Sequence, residues 1–404
     1  MAEADHNADL KDHKEIGRRL RLFSFSRKVP GTVLWWPKGA ILFDLIVEDL
    51  KKELENQGYK DIKTPAIISL ETLRASGHYD NFREKLFFTG NEKEIAEKKV
   101  HWCLKPMSCP GSITIFNEDM RSYKDLPIKF SEMGTVFRYE QPGEINGLLR
   151  VRVITQDDAH IYCHEDQIEK EIFVLIDFVY ATYNRYGFKD VRIELSTRPA
   201  KSIGTDKQWQ KAEAGLVKAL KDAKIEYEEK KGDGAFYGPK IDFHVRDSLG
   251  RSWQMGTIQL DFATAERLDA NYIDEKGQKQ HPVIIHRAIL GSVERFIAVL
   301  LEHTSGALPV WLAPVQTIIL PVSDKHLEYA KKVAEELSQQ DIRIEVDERS
   351  ESVSKKIRDA EVQKVPIIIV VGDKEEKDKN ITLRRRGSKD LKSLKLEEFL
   401  KILK

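Results

Sequence analysis

Residues 133–163 read MGTVFRYEQPGEINGLLRVRVITQDDAHIYC, and this stretch decides the fold. Two runs rich in β-branched and aromatic residues, Met133–Tyr139 and Arg150–Cys163, flank the segment QPGEING. Strand-like runs on either side of a Gly- and Pro-containing segment indicate antiparallel strands joined by a loop. The stretch therefore predicts a long β-hairpin that carries arginine and glutamate side chains beside its turn.

A helix and a strand are predicted before this hairpin. Apolar residues recur at helical spacing from Lys38 to Gly58, and the next run, Tyr59 to Ile68, is typical of a strand ending near Pro65. Beyond the hairpin we expect further helices and strands, including a helix from His286 to about His303. Strands and helices that do not alternate regularly favour an α+β domain with an antiparallel sheet.

The pattern changes near residue 307. From Thr317 onward strands and helices alternate up to the apolar run Ile367–Val371, which predicts a βαβαβ unit and hence a small α/β domain. We therefore expect an N-terminal extension over residues 1–22, an α+β domain over 23–306 and an α/β domain over 307–404.

Composition sets further limits. The 404 residues suffice for two or three domains of about 150 residues each. Lys plus Arg and Asp plus Glu both number 66, so net charge alone gives no support for nucleic-acid binding. No apolar run approaches the ~18 residues of a membrane-spanning helix, and no secretory signal is visible. Three cysteines cannot close a disulfide framework, which favours a cytoplasmic protein.

Taken in order, these features resemble the three motifs of class II aminoacyl-tRNA synthetases. The motifs are a helix and strand ending in Pro65, Phe-Arg-x-Glu at 137–140 with its hairpin, and Gly-x-x-x-Arg at 291–295. Five further stretches closely resemble the threonyl-tRNA synthetase family: KPMSCPG at 105–111, TQDDAH at 155–160, GAFYGPK at 234–240, WQMGTIQLDF at 253–262 and IHRAILGS at 285–292. The similarity runs from about Asp12 to the C-terminus, and the motifs are specific because they occur together and in order.

The resemblance implies one zinc ion per chain, held by Cys109, His160 and His286. Spacing alone would not show this, because gaps of 51 and 126 residues match no zinc-finger pattern. The residues by themselves favour a buried, inert cysteine and two structural histidines. One thiolate and two imidazoles leave a coordination position open for substrate. In the family, threonine binds there through its amino nitrogen and hydroxyl.

The same resemblance implies a threonine pocket. Asp158 is expected to accept a hydrogen bond from the threonine hydroxyl. Gln156 and Tyr237 are expected to position the carboxylate and amino ends, and Gln259 to complete the pocket. Valine lacks the hydroxyl, so such a site would reject it far better than an apolar pocket could.

An ATP site is implied beside this pocket. Arg138 is expected to contact the α-phosphate and the threonine carboxylate, Glu140 the adenine amino group and Arg150 the γ-phosphate. Arg295 would stack on adenine, and Gln254 would hold the nucleotide. With Mg²⁺ bound to ATP, the expected reaction is in-line attack of the threonine carboxylate on the α-phosphorus, giving threonyl-adenylate and then threonyl-tRNA.

Contacts with threonine tRNA are also implied. His78, in Ser-Gly-His, resembles the family histidine near the terminal ribose, although a lone loop histidine is more often inert. Arg349, Glu375 and Arg384 are expected to touch anticodon bases. The basic run 381–404 is as compatible with a solvated surface as with RNA phosphates. The class implies a homodimer formed through the first-motif helix and strand.

Two departures from the family and two alternatives stay open. Ser112 stands where the family often has histidine, and the catalytic resemblance begins so early that no N-terminal editing domain is expected, which would leave seryl-tRNA uncleared. Another synthetase of the same subclass, such as the prolyl or glycyl type, would lack the zinc triad. A non-catalytic RNA-binding paralogue would not need Arg138, Glu140 and Arg295 together.

Overall fold

The computed structural model describes residues 12–388 and 390–403. Residues 1–11 of the expected N-terminal extension lie outside the described residues. The helices are α1 His13–Arg19, α2 Pro37–Asn56, α3 Leu70–Ala75, α4 His78–Phe82, α5 Glu92–Ala96, α6 Cys109–Asn117, α7 Ile168–Arg185, α8 Asp206–Asp222, α9 Thr264–Arg267, α10 Val293–Thr304, α11 Leu327–Ser338, α12 Val353–Val362, α13 Asp373–Asp378 and α14 Leu396–Leu403. None of these helices is long and apolar enough to cross a membrane.

The strands form sheets in two compact units. They are β1 Phe23–Ser24, β2 Leu34–Trp35, β3 Lys60–Asp61, β4 Ile67–Ser69, β5 Phe88–Thr89, β6 Trp102–Leu104, β7 Arg121–Ser122, β8 Ile128–Phe137, β9 Val153–Cys163, β10 Val191–Ser196, β11 Glu228–Lys230, β12 Lys240–Arg246, β13 Ser252–Asp261, β14 Tyr272–Ile273, β15 Lys279–Gln280, β16 Val283–Ala288, β17 Thr317–Pro321, β18 Ile344–Val346, β19 Ile367–Val371, β20 Ile381–Arg385 and β21 Leu391–Leu394. The larger unit comprises residues 25–32 and 47–299, and the smaller one residues 12–24, 33–46 and 300–403. The domain boundaries at 23 and 307 stay predictions.

The larger unit is built on an eight-stranded sheet in the order β11-β10-β12-β13-β16-β9-β8-β3. All of its central pairings are antiparallel, as predicted, and only the edge strands β11 and β3 pair in parallel. The predicted hairpin is β8 and β9, which pair from Phe137 opposite Val153 downward. Beside the turn, β8 ends at Phe137 and not at the predicted Tyr139, and β9 begins at Val153 and not at the predicted Arg150. Arg138, Glu140 and Arg150 therefore lie in the connection and not on the strands.

The helix predicted from His286 is wrong in its first part. His286 lies in β16, and α10 begins only at Val293. All six residues of β16 are buried, so burial does not alternate along it, and periodicity cannot distinguish such a strand from part of a buried helix. Gly291 adopts a φ of 72° in the turn before α10 and is not inside the helix.

Two other predictions, for the part of the chain before the hairpin, fare differently. Helix α2 is confirmed: Pro37 occupies its first position, which suits the fixed φ of proline, and the buried residues Leu42, Ile46, Leu50 and Leu54 recur every fourth position. The strand predicted from Tyr59 to Ile68 is instead two short strands, β3 and β4, in different sheets. Helices α7 and α8 pack on each other and on β13.

The smaller unit contains a five-stranded sheet in the order β18-β17-β19-β20-β21. Its first three strands are parallel, which confirms the predicted βαβαβ pattern. The last two strands are antiparallel additions from the basic run that the sequence pattern did not assign to strands. The guanidinium of Arg386, the residue after β20, donates to the carbonyl oxygens of Lys364, Ala307 and Leu308. These hydrogen bonds connect the end of β20 to the residue Lys364 before β19 and to the start of the predicted α/β domain.

Helix α14 closes the core of the smaller unit, and this contact is testable. Phe399 is fully buried among Ile319, Ile369 and Val333, whereas Ile402 on the same helix is 37% exposed. We expect Phe399→Ala to lower the free energy of unfolding by about 3–5 kcal/mol, because it removes a large buried side chain. The matched variant Ile402→Ala should cost about 1 kcal/mol or less. Urea unfolding of both variants measures the difference, and similar losses would contradict this account of the core.

Candidate active site

A cavity of about 430 Å³ opens on the larger unit. Its walls come from the β8–β9 connection, from β9, β13 and β16, and from the start of α10. Every predicted site residue of the α+β domain except His78 lines it: Cys109, Arg138, Glu140, Arg150, Gln156, Asp158, His160, Tyr237, Gln254, Gln259, His286 and Arg295. The fold thus brings into one cavity side chains that are far apart in the chain.

Strand alternation and register explain how these side chains meet. Gln156, Asp158 and His160 occupy alternate positions of β9, so they share one face of the sheet. His160 lies opposite His286 on β16, and His286 lies opposite Gln259 on β13. Directly opposed residues of antiparallel strands point to the same side. Three strands therefore present one continuous polar surface to the cavity.

Cys109, His160 and His286 form a compact set of donors. One ligand atom from each lies within 4.8 Å of the other two, and all three residues are buried. His160 Nε2 is buried and has no hydrogen-bond partner in the part of the chain that the structure describes. A buried polar atom without a partner is costly, and a thiolate with two imidazoles suits zinc with one position open. The residues present fit such an ion.

The environment of Cys109 is unfavourable to a thiolate without a metal. Burial, followed by the charges of Asp158 and Asp261, raises the pKa of the Cys109 thiol well above its usual value. Its sulfur lies 3.1 Å from His78 Nε2. A cation close to this sulfur would offset the cost of the negative charge, because opposite charge favours the ionised form.

His78 lies behind this set and does not line the cavity. It is fully buried, and its Nδ1 lies 2.9 Å from Ser76 Oγ. Burial, and next the charge of His286, lowers the pKa of His78 to about 3, so the ring is neutral. Its predicted role at the tRNA ribose stays a prediction.

In the β8–β9 connection, Glu140 is held by two ion pairs. Glu140 is 5% exposed and accepts hydrogen bonds from Lys85 Nζ at 2.7 Å and Arg150 Nε at 3.1 Å. Lys85 also binds Glu144 at 2.6 Å. Arg138 Nε donates to the carbonyl oxygen of Pro106 at 3.2 Å. Sequence reasoning missed Lys85, because it lies far from the hairpin in the chain and belongs to none of the motifs.

The start of α10 is fixed against β9 and β13. Arg295 donates from Nε to the carbonyl of Leu149 at 3.1 Å. Both carboxylate oxygens of Glu294 accept from the backbone N–H of Thr155, and burial raises the pKa of Glu294 to about 7. A methyl group added to Gly291 would lie 2.4 Å from the carbonyl oxygen of Met255. The turn therefore needs glycine both for its φ and for its space.

The far side of β9 carries a buried ion pair that sequence reasoning also missed. Arg287 Nη1 lies 3.1 Å from Asp157 Oδ2, and the Asp157 carboxylate accepts from the backbone N–H groups of Ile289 and Leu290. The strand alternation in TQDDAH was the available signal, because it places Asp157 and Asp158 on opposite faces. Burial raises the pKa of Asp157 to about 6.

Other predicted positions are engaged within the protein. Ser112 is buried, and its Oγ lies 2.8 Å from the hydroxyl of Tyr162, so it does not line the cavity. Tyr237 donates from its hydroxyl to Gln259 Oε1.

In the smaller unit, Arg349 makes ion pairs with Asp347 and Asp359, and Arg384 pairs with Glu361. Glu375 accepts from Gly372 N–H and Thr382 Oγ1. Contacts of Arg349, Glu375 and Arg384 with RNA stay predictions.

Comparisons with known proteins point to one family. Residues 92–304 match the family described as tRNA synthetase class II core domain (G, H, P, S and T), and residues 316–404 match the family described as anticodon binding domain. The chain is 45% identical over 397 residues to the threonine–tRNA ligase of Nitrosomonas eutropha, covering 98% of this chain and 62% of that one. It is 46% identical over 398 residues to that of Caldanaerobacter subterraneus subsp. tengcongensis, covering 98% and 61%. The chain thus spans about three fifths of the length of these relatives.

A solved structure covers almost the whole chain. The crystal structure of the RNA binding domain of threonyl-tRNA synthetase from Cryptosporidium parvum Iowa II superposes with a TM-score of 0.92 at 40% identity, covering 97% of both chains. The eight-stranded sheet and the α/β unit therefore belong to a fold already seen in a close relative.

The turn before α10 gives a second test. Gly291 and Gly277 have similar φ values of 72° and 75°, but a methyl group on Gly277 would meet nothing within 4 Å. We expect both alanine variants to lose about 1–2 kcal/mol of stability through the left-handed conformation. Gly291→Ala should lose about 1–3 kcal/mol more, because the methyl group collides with Met255. Urea unfolding compares the two variants; equal losses would show that the close approach costs nothing.

Proposed function

The chain belongs to the threonyl-tRNA synthetase family of class II aminoacyl-tRNA synthetases, and on that premise we propose that it activates threonine with ATP and transfers it to threonine tRNA. The observation that carries the proposal is the single cavity lined by the donors Cys109, His160 and His286 together with Arg138 and Arg295. A metal-binding set beside a cationic nucleotide site suits the activation of an amino acid that carries a hydroxyl.

Cys109, His160 and His286 hold one zinc ion in this proposal. Bound there, zinc would supply a Lewis-acidic centre for the amino nitrogen and the hydroxyl oxygen of threonine. Asp158 lies on the same strand face as His160 and accepts the hydrogen bond of that hydroxyl. Gln156 and Tyr237 orient the two ends of the amino acid, and Gln259 holds the Tyr237 hydroxyl.

Arginine side chains bind and orient ATP, which enters with Mg²⁺. Arg138 contacts the α-phosphate and the threonine carboxylate, Arg150 the γ-phosphate, and Arg295 stacks on adenine, while Glu140 accepts from the adenine amino group and Gln254 holds the nucleotide. The carboxylate attacks the α-phosphorus and pyrophosphate leaves. Arginine charge lowers the barrier because it is already in place when negative charge shifts to the leaving group.

In the second step a hydroxyl of the terminal tRNA ribose attacks the adenylate carbonyl, and AMP leaves. We place His78 near that ribose and Arg349, Glu375 and Arg384 at the anticodon. We further propose a cytoplasmic homodimer whose subunits pair through α2 and the segment 59–68 that follows it. A prolyl-type or glycyl-type synthetase would not need the three metal donors. A non-catalytic RNA-binding protein would not need the intact ATP-binding residues.

Pyrophosphate exchange with each of the twenty amino acids tests the activity. We expect exchange with threonine, and a loss of more than about a hundredfold in Arg138→Ala and in Arg295→Ala, because each removes a preorganised cation from the reacting phosphates or the adenine. Arg246→Ala is the matched control, since Arg246 is half-exposed and pairs with Asp190 on the surface. Near-normal exchange in both site variants would remove the catalytic assignment.

Amino-acid selection gives a further prediction. Serine lacks only the methyl group of threonine, which is worth about 1–3 kcal/mol, so we expect serine to be activated about 10- to 200-fold less efficiently and seryl-tRNA to form at a measurable rate. Valine has no hydroxyl to donate to Asp158, so we expect threonine to be preferred over valine by about 10⁴-fold or more.

The ratio of kcat/KM values for threonine, serine and valine measures this selection. In Asp158→Ala the threonine-to-valine ratio should shrink, while the threonine-to-serine ratio should hardly change, because threonine and serine share the hydroxyl. Comparable use of valine by the unmodified protein would refute hydroxyl recognition.

A further inference from the structure

Asp261 is a buried carboxylate that none of the predicted roles uses. It is the last residue of β13 and is fully buried. Its Oδ2 lies 3.0 Å from Nε2 of His286 on the neighbouring strand β16. The other oxygen, Oδ1, accepts from the backbone N–H groups of Ala263 at 2.8 Å and Thr264 at 2.9 Å. One oxygen thus faces the backbone and the other faces a predicted metal ligand.

This division of contacts determines which nitrogen of His286 carries a proton. Oδ1 is held by two N–H donors, so the carboxylate is fixed in place and Oδ2 is aimed at the ring. A carboxylate oxygen only accepts hydrogen bonds, so Nε2 of the ring must carry a hydrogen and donate it to Oδ2. The lone pair that can bind a metal is then on Nδ1. Metal-binding histidines commonly donate their second N–H to a carboxylate in this way.

Packing around the ring supports the same arrangement. The ring of His286 lies edge-on to that of His160, with centroids 4.9 Å apart, and tilted against that of Tyr237 at 4.8 Å. The backbone of His286 is held between two paired strands. Packing thus sets the position of the ring, and the hydrogen bond to Asp261 determines which of its nitrogens carries the hydrogen.

We propose that Asp261 is a positioning residue that presets the tautomer of His286 for zinc, an inference that rests on the proposed metal site. Asp261 does not touch the ion or the substrate. It acts through His286, and its removal should weaken zinc binding without removing a ligand.

Asp261→Asn separates this role from a structural one. The single amide oxygen of asparagine can keep the hydrogen bonds from Ala263 and Thr264, which leaves the amide NH₂ facing His286 Nε2. A donor at that position favours the opposite tautomer, with the hydrogen on Nδ1, where it blocks the metal. We expect zinc to bind about 10- to 100-fold more weakly. Asp242→Asn is the matched control, because Asp242 is also buried in this sheet but contacts Ser196 and Lys240 instead of a metal ligand.

The experiment measures zinc affinity in the full chain by competition with a chromophoric chelator, together with the absorption of the cobalt-substituted protein. The unmodified protein and Asp242→Asn should bind one zinc tightly, Cys109→Ser should lose it and the cobalt–thiolate band, and Asp261→Asn should bind weakly with that band retained at saturating cobalt. Equal zinc affinity in Asp261→Asn and the unmodified protein overturns the inference alone. Absence of zinc binding in the unmodified protein overturns the proposed metal site, and the inference with it.

A measurement on the unmodified protein covers the case in which Asp261→Asn does not fold. Nitrogen-15 chemical shifts of the histidine rings in the metal-free protein distinguish the two tautomers, and a His286→Gln variant assigns the signal. The expected result is hydrogen on Nε2. Hydrogen on Nδ1 would overturn the proposal whatever the variant does.

Discussion

The register between β9, β16 and β13 is the constraint on which the cavity depends. His160 lies opposite His286, and His286 lies opposite Gln259. This register places polar residues of three strands on one face of the sheet. A slip of one residue would turn every side chain of a strand to the other face. Such a slip of β9 would turn His160 and Asp158 away from the cavity. The placement of the cavity-lining side chains is therefore fixed by backbone pairing.

The opposite face of the same strand holds that register. Asp157, one residue before Asp158, pairs with Arg287, one residue after His286. Removing one partner of a buried ion pair leaves an uncompensated charge and costs several kcal/mol. The alternation of β9 thus turns one face to the cavity, while the other face holds the strands in place. Gly291, the carboxylate of Glu294 and the backbone of Thr155 extend this fixed frame to the start of α10.

The sequence pattern predicts the parts of this architecture that depend on local periodicity. The β8–β9 hairpin, helix α2 and the parallel strands of the smaller unit all carry their signal within a few residues. The strand around His286 was missed because a fully buried strand has no alternation to detect. Cys109, His160 and His286 could be grouped only by resemblance, since nothing in their spacing encodes a register between distant strands. Asp261 and Lys85 lay beyond both kinds of reasoning, because a hydrogen bond between side chains leaves no period in the sequence.

The order of strands in the large sheet has a consequence for synthesis. Strand β9 is made early, yet its neighbour on one side, β16, is the last strand of that sheet along the chain. During translation β8 and β9 can pair as soon as both have emerged, but β9 then presents an open edge until residue 288 is available. Unpaired edges invite wrong partners, and contacts between distant residues form slowly. Between the emergence of His160 and that of His286, the nascent chain therefore exposes a strand edge at which wrong pairing can begin.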